Sequence, residues 1–175
     1  VNVKDIVALG QRLNLEAKRS VGALSARDIL KAVQQPCADP YWKLRFKGAS
    51  EDVFFLAQID KIKNLVAVMD AAAGKAGYPV ADRGVYIQPT VQGTSCHVEF
   101  NLFYNPEDEG DSQRVRELSA TATKALMENG AFFSRPYGES AGMIMNRDSA
   151  TVGVLKKLKG IFDPNEIMNP GKLCF

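Results

Sequence analysis

In the run SCHVEFNLFY (95–104) polar and apolar residues alternate. On an extended strand Ser95, His97, Glu99, Asn101 and Phe103 share one face, and Cys96, Val98, Phe100, Leu102 and Tyr104 share the other. The polar face carries the single histidine of the chain, a carboxylate and an amide. An imidazole that titrates near neutrality can take a proton from a hydroxyl or donate a hydrogen bond, and Glu99, two residues along, is placed to tune it. The plain alternative is an amphipathic strand that shows its polar residues to water. Solvated strands of that kind carry Lys, Thr and Glu, whereas this one carries His97, Glu99 and Asn101.

A second candidate is Arg135 in the irregular stretch Ser134-Arg135-Pro136-Tyr137-Gly138. A guanidinium keeps its charge when desolvated and binds oxygen anions through a planar fork, so a loop arginine beside a sheet face suits a carboxylate or phenolate. Tyr137 would add a hydroxyl to the same site. Tyr86 and Gln88, of matching parity on a neighbouring strand, are further candidates for contact with a ligand. A solvated or salt-bridged surface arginine is the competing explanation for Arg135.

Placing these residues requires a sheet. Apolar spacing predicts helices over 3–13 and 26–34, the second opened by a capping box of Ser25 and Asp28. YWKLRFK (41–47) alternates and reads as a half-buried strand, followed by DVFFLAQ (52–58), more apolar and so more central. Residues 61–76 have a helical pattern that Gly77 and Pro79 stop. GVYIQPTV (84–91) and 94–105 are strands expected to pair as a hairpin across Gln92 and Gly93, and 112–129 is an amphipathic helix ended by Asn129 and Gly130. The order β-β-α-β-β-α, two similar halves, predicts an α+β fold: an antiparallel sheet with helices on one face and the other face free for a ligand. Residues 131–150 read as irregular and 151–162 as a short basic helix.

Composition narrows the function classes. The 22 Lys and Arg nearly balance 20 Asp and Glu, and a net charge of +2 supplies no field of the kind that dominates nucleic-acid binding, so no nucleic-acid partner is expected. Cys37, Cys96 and Cys174 have no CxxC spacing and, with one histidine, cannot form a structural zinc site; reduced thiols and a cytoplasmic location are expected. No apolar run approaches the roughly 18 residues of a membrane span, and VNVKDIVALG lacks the layout of a signal peptide. A chain that starts at Val1 reads as a processed or excised piece.

The tail FDPNEIMNPGKLCF (162–175) is the most specific motif: Pro164 and Pro170 fix φ and Gly171 permits close backbone approach, making a double turn. A generic terminal turn is the bland alternative. The tail resembles the terminal signature of FAD-linked oxidases of the vanillyl-alcohol-oxidase/para-cresol-methylhydroxylase family. CHVEFNLFYNPED (96–108) is similar to that family's active-site strand, and GAFFSRPYG (130–138) to its Gly-aromatic stretch leading to an arginine. The likeness covers most of the chain and is strongest from Asp82 to Phe175. At the position before the arginine, where aryl-alcohol members have tyrosine, this chain has Ser134, and Tyr137 would have to take that part.

The resemblance implies a ferredoxin-like duplicated cap fold over residues 1–130, with 131–175 returning to a separate FAD-binding domain or subunit. It implies FAD as cofactor, held mainly by a segment absent here, since no glycine-rich phosphate loop occurs in this sequence. Asn169 and Lys172 would lie near the cofactor. His97 would face a small anionic or phenolic substrate and Arg135 would hold its anion, with an electron-acceptor protein as a further partner. The implied activity is oxidation of a small alcohol, hydroxy acid or para-substituted phenol by hydride transfer to flavin. A non-catalytic module that keeps the cap fold and binds a small anion or a protein is the competing expectation.

Overall fold

A computed structural model of the chain describes residues 2–16, 18–35, 43–90, 93–136, 138, 140–168 and 170. Tyr137, Asn169 and Lys172, three of the expected site residues, lie outside that set, as do Cys37 and Cys174. The chain divides into two compact units, Val1–Trp42 and Lys43–Phe175.

In the first unit, α1 (Val3–Arg12) is opened by a capping box in which the Asn2 side chain accepts from the backbone at Lys4 and Asp5 reaches back to the Asn2 N–H. A two-rung hairpin pairs β1 (Ser20–Val21) with β2 (Leu24–Ser25). The expected Ser25–Asp28 box then starts α2 (Ala26–Gln34). Neither helix has a buried residue.

The second unit opens with α3 (Leu44–Lys47), a single helical turn closed by Gly48 at φ 100°, a left-handed value that glycine adopts without steric cost. Over the described residues 43–47 this overturns the strand expected for 41–47, whose first two residues lie outside the described set. Alternation over so short a run fits either element, and here the Lys43 side chain reaches Asp52 and Glu99 while Phe46 stacks on Phe103 at 4.6 Å, which fixes the turn against the sheet. The duplicated order is therefore not seen among the described residues. It reads α3, β3 (Ala49–Gln58), α4 (Ile62–Lys75), β4 (Arg83–Pro89), β5 (Ser95–Tyr104), α5 (Glu109–Glu128), α6 (Ser140–Met145) and α7 (Ser149–Phe162).

The three strands form an antiparallel sheet in the order β3-β5-β4, with the expected β4–β5 hairpin in place and β5 in the centre. One face is packed by α4 and α5. Leu65, Met69 and Ala73 of α4 and Val115, Leu118, Ala122 and Leu126 of α5 bury against Val53, Phe55, Cys96, Val98, Phe100 and Leu102. Each large aliphatic or aromatic side chain so buried contributes on the order of 1.5–3 kcal/mol, so this layer dominates the unit's stability. Tyr78 closes one end, its hydroxyl within reach of the carbonyls of Asp82 (2.9 Å) and Phe103 (3.0 Å); burial, then the nearby Asp82 carboxylate, pushes that hydroxyl up from its ordinary range. The α+β class and the helices on one sheet face agree with the expectation. The opposite face is not wholly free, because α3 covers its Asn101–Phe103 end.

After α5 the chain turns at Gly130 and runs along the outer edge of β3, where Leu56 and Phe132 exchange two backbone hydrogen bonds of 2.8 and 2.9 Å. Phe133 then packs on Phe55 at 5.6 Å. The stretch expected to be irregular includes α6, which its Gly and Ser content concealed. Asp148 caps α7 by accepting from the N–H groups of Ala150 and Thr151. At the other end of α7 Asp163, buried, takes Lys159 and the N–H groups of Ile167 and Met168, which builds the first half of the expected terminal turn.

Candidate functional site

Register decides what shares the face opposite α4 and α5. His97 pairs with Leu56 on β3 and Gln88 on β4, Glu99 with Phe54 and Tyr86, and Asn101 with Asp52 and Gly84. Directly paired residues point to the same side of a sheet, so His97, Glu99, Asn101, Tyr86 and Gln88 stand together on one face. Parity alone predicted this grouping.

Aromatic rings surround the imidazole. Phe54 lies 5.9 Å from it, centre to centre, and Tyr86 lies 6.2 Å away edge-on. Arg135 arrives from the segment tethered to the β3 edge, and its guanidinium carbon sits 5.5 Å from the centre of the Phe54 ring. Phe54 is thus shared by the two side chains that sequence reasoning picked out independently. Arg135 also lines a cleft of about 250 Å³ at the β3 edge, with Asp52, Phe54, Arg116 and Ser119 on its walls.

Beneath these groups lies a buried polar cluster that sequence reasoning missed. Lys43, 8% exposed, donates to Asp52 at 2.6 Å and to Glu99. Asn101 donates to Asp52 at 2.8 Å and to Glu99 at 2.6 Å, and Ser50 donates to Asp52 at 2.7 Å. Burial alone would push the Glu99 carboxyl up, but the hydrogen bonds from Lys43 and Asn101 and the Lys43 charge outweigh it and hold Glu99 below the usual carboxylate range. Burial likewise works against the Lys43 ammonium, and hydrogen bonds to Asp52 and Glu99 more than offset it, leaving Lys43 above the usual range. The remaining Glu99 oxygen, Oε2, lies 3.5 Å from His97 Nε2.

Asp52 and Phe54 were legible in principle, since their parity in 52–58 puts them on the same face as His97. Lys43 was not, because its reach depends on the helical turn that replaces the expected strand. Gly84 is required by close approach: a Cβ there would lie 2.9 Å from Asn101 Oδ1 and 3.3 Å from the Phe103 ring.

Chemically, the face offers a ring-walled patch, an imidazole backed by an ionised carboxylate, and one guanidinium at the rim. That combination suits a flat ligand bearing a hydroxyl and an anionic group. Compared with known proteins, residues 57–173 match the family model described as FAD linked oxidases, C-terminal domain. No curated protein matches the sequence.

Proposed function

The chain belongs to the FAD-linked oxidase C-terminal domain family, and from that premise we propose that it is the substrate side of an FAD-dependent oxidoreductase of the vanillyl-alcohol-oxidase/para-cresol-methylhydroxylase type. Its reaction is oxidation of a small alcohol, hydroxy acid or para-substituted phenol. FAD, when bound, accepts the hydride. The observation that carries this reading is the placement of His97 and Arg135 against the same Phe54 ring.

Arg135 holds the substrate anion, and His97 takes the hydroxyl or phenol proton. Glu99 and Asn101 orient His97, while Tyr86 and Gln88 line the face. Tyr137, Asn169 and Lys172 lie outside the described residues; the resemblance gives Tyr137 to the substrate and Asn169 and Lys172 to the cofactor. The open face fits the ring end of FAD, since Phe54, His97 and Tyr86 offer flat surfaces and Gln88 an amide. A diphosphate needs a cluster of backbone N–H groups or cations, which this face does not provide. The family points to an FAD-binding domain or subunit as partner, and we assign 1–130 to a cap and 131–175 to packing on that domain. An electron-acceptor protein and a cytoplasmic location complete the proposal; among the described residues no helix is long and apolar enough to cross a membrane.

Reconstitution tests it. The 175-residue chain alone, given FAD, stays colourless after gel filtration, because a flavin held only by its ring binds weakly. Joined to its FAD-binding domain, it gives a flavin spectrum that bleaches with an anionic hydroxy acid or phenol under anaerobic conditions. A holoenzyme that no such compound bleaches would overturn the reading.

A further inference from the structure

Glu99 uses its two oxygens differently. Oε1 accepts from Lys43 Nζ and from Asn101 Nδ2, whereas Oε2 faces His97 Nε2. An ionised carboxylate can only accept hydrogen bonds, and a neutral imidazole has one N–H. A hydrogen bond between Oε2 and Nε2 therefore requires the proton on Nε2.

We propose that Lys43, Asp52 and Asn101 are positioning residues that keep Glu99 an obligate acceptor and so lock His97 as the Nε2–H tautomer, making Nδ1 the nitrogen that accepts a ligand hydroxyl. This rests on the reading of the open face as the substrate site. Lys43 is the keystone: it stands between Asp52 of β3 and Glu99 of β5, and Asn101 bridges the same two carboxylates from below. Without Lys43 two carboxylates would share one half-buried site, and one of them would take up a proton. A protonated Glu99 could donate to Nε2 and reverse the tautomer. Among the described residues the charged or titratable groups around the imidazole are Glu99 on its own strand, Tyr86 on β4, and Arg135 across Phe54, with Lys43 and Asp52 behind Glu99. On proton uptake at Nδ1, Nε2–H stays on Glu99, and the resulting imidazolium faces a carboxylate whose charge Lys43 already shares.

One histidine in the chain makes the test direct. With ¹⁵N-labelled histidine in the 175-residue protein, the ring nitrogens are read by NMR above the His97 titration. The expected result is a protonated Nε2 and a bare Nδ1. In Glu99→Gln the side-chain amide can donate, so the Nδ1–H form gains population. In Lys43→Met the tautomers mix. Should Lys43→Met fail to fold, Asn101→Ala, which removes the other donor to Oε1, gives the same tautomer readout. A wild-type Nδ1–H form, or ring signals unmoved by Glu99→Gln and Asn101→Ala, would overturn the proposal. None of these measurements needs flavin or substrate. Unchanged turnover of His97→Ala in the flavin-loaded full-length enzyme would instead remove the substrate-site reading and leave the tautomer assignment intact.

Discussion

Gly84 lies directly across the β4–β5 pair from Asn101, with no space between them for a methyl group: a Cβ on Gly84 would stand 2.9 Å from Asn101 Oδ1 and 3.2 Å from its Cβ. Asn101 cannot swing away without losing its hydrogen bonds to Asp52 and Glu99.

Gly84→Ala is therefore expected to destabilise the protein by roughly 1–3 kcal/mol, as overpacking does in a well-filled site. In an Asn101→Ala background the same change should cost much less. Urea denaturation of the four proteins of that double-mutant cycle reads the coupling, and additive losses would mean that the two residues do not compete for space.

Lys43→Met should cost about 2–4 kcal/mol near neutral pH, toward the low end of a broken buried ion pair because Asp52 and Glu99 keep some solvent contact. The pH dependence has a definite sign. Glu99 is held below its ordinary value of 4.5, so its contribution is present above that value and fades as pH falls through the lower folded-state value. Lys43 is raised above 10.5, so its contribution is full below 10.5 and fades as pH climbs past it. The stability gap between wild type and Lys43→Met should thus be widest between these limits and narrow on either side, as followed by chemical denaturation across pH.

Arg135→Ala should leave folding almost unchanged, since the side chain is exposed and its one ring contact, with Phe54, is worth about 0.5–1 kcal/mol at such a site. In the full-length enzyme it should raise the barrier for an anionic substrate by roughly 2–5 kcal/mol. Arg135→Lys should recover only part of that loss, because an ammonium lacks the planar fork. Steady-state kinetics with the anion and an uncharged analogue decide the role, and equal losses for both would assign Arg135 to the surface.

Asp163→Ala should release the turn after α7. The Asp163 carboxyl is held below the usual range by Lys159 first and then by the backbone N–H groups of Met168 and Ile167, so the turn is set at and above that range and loosens as pH falls through the lower folded-state value. Protection of the Ile167 and Met168 amides from hydrogen exchange, taken relative to the intrinsic rate at each pH, should be high in the wild type, lower in Asp163→Ala, and lower in the wild type under acid. Equal exchange in both proteins would show that the turn holds without Asp163.

What could be read from the sequence follows from how local its causes are. The capping box of Ser25, the helix that Gly77 ends and the alternation around His97 are each set within a few residues, and all three reappear in the fold. The grouping of Tyr86, Gln88 and Glu99 needed only strand parity and the hairpin. Lys43 depends on contacts with Asp52 and Glu99, nine and 56 residues away, and no short-range pattern signals them. That same long-range pull explains why 44–47 winds into a helical turn although its alternation suggests a strand.

The two hydrogen bonds between Leu56 and Phe132 make the β3 edge a ruler for Arg135. Two residues, Phe133 and Ser134, separate the clamp from the arginine, the chain bends at Ser134 and Arg135, and one residue of chain spans at most about 3.3–3.6 Å. Lengthening or shortening this span by one residue would shift the guanidinium by up to about that distance while His97 stayed fixed on the central strand. The reach between His97 and Arg135 is therefore set by chain length at one loop, which under their proposed roles offers a way to change the size of ligand accepted without altering any side chain on the face.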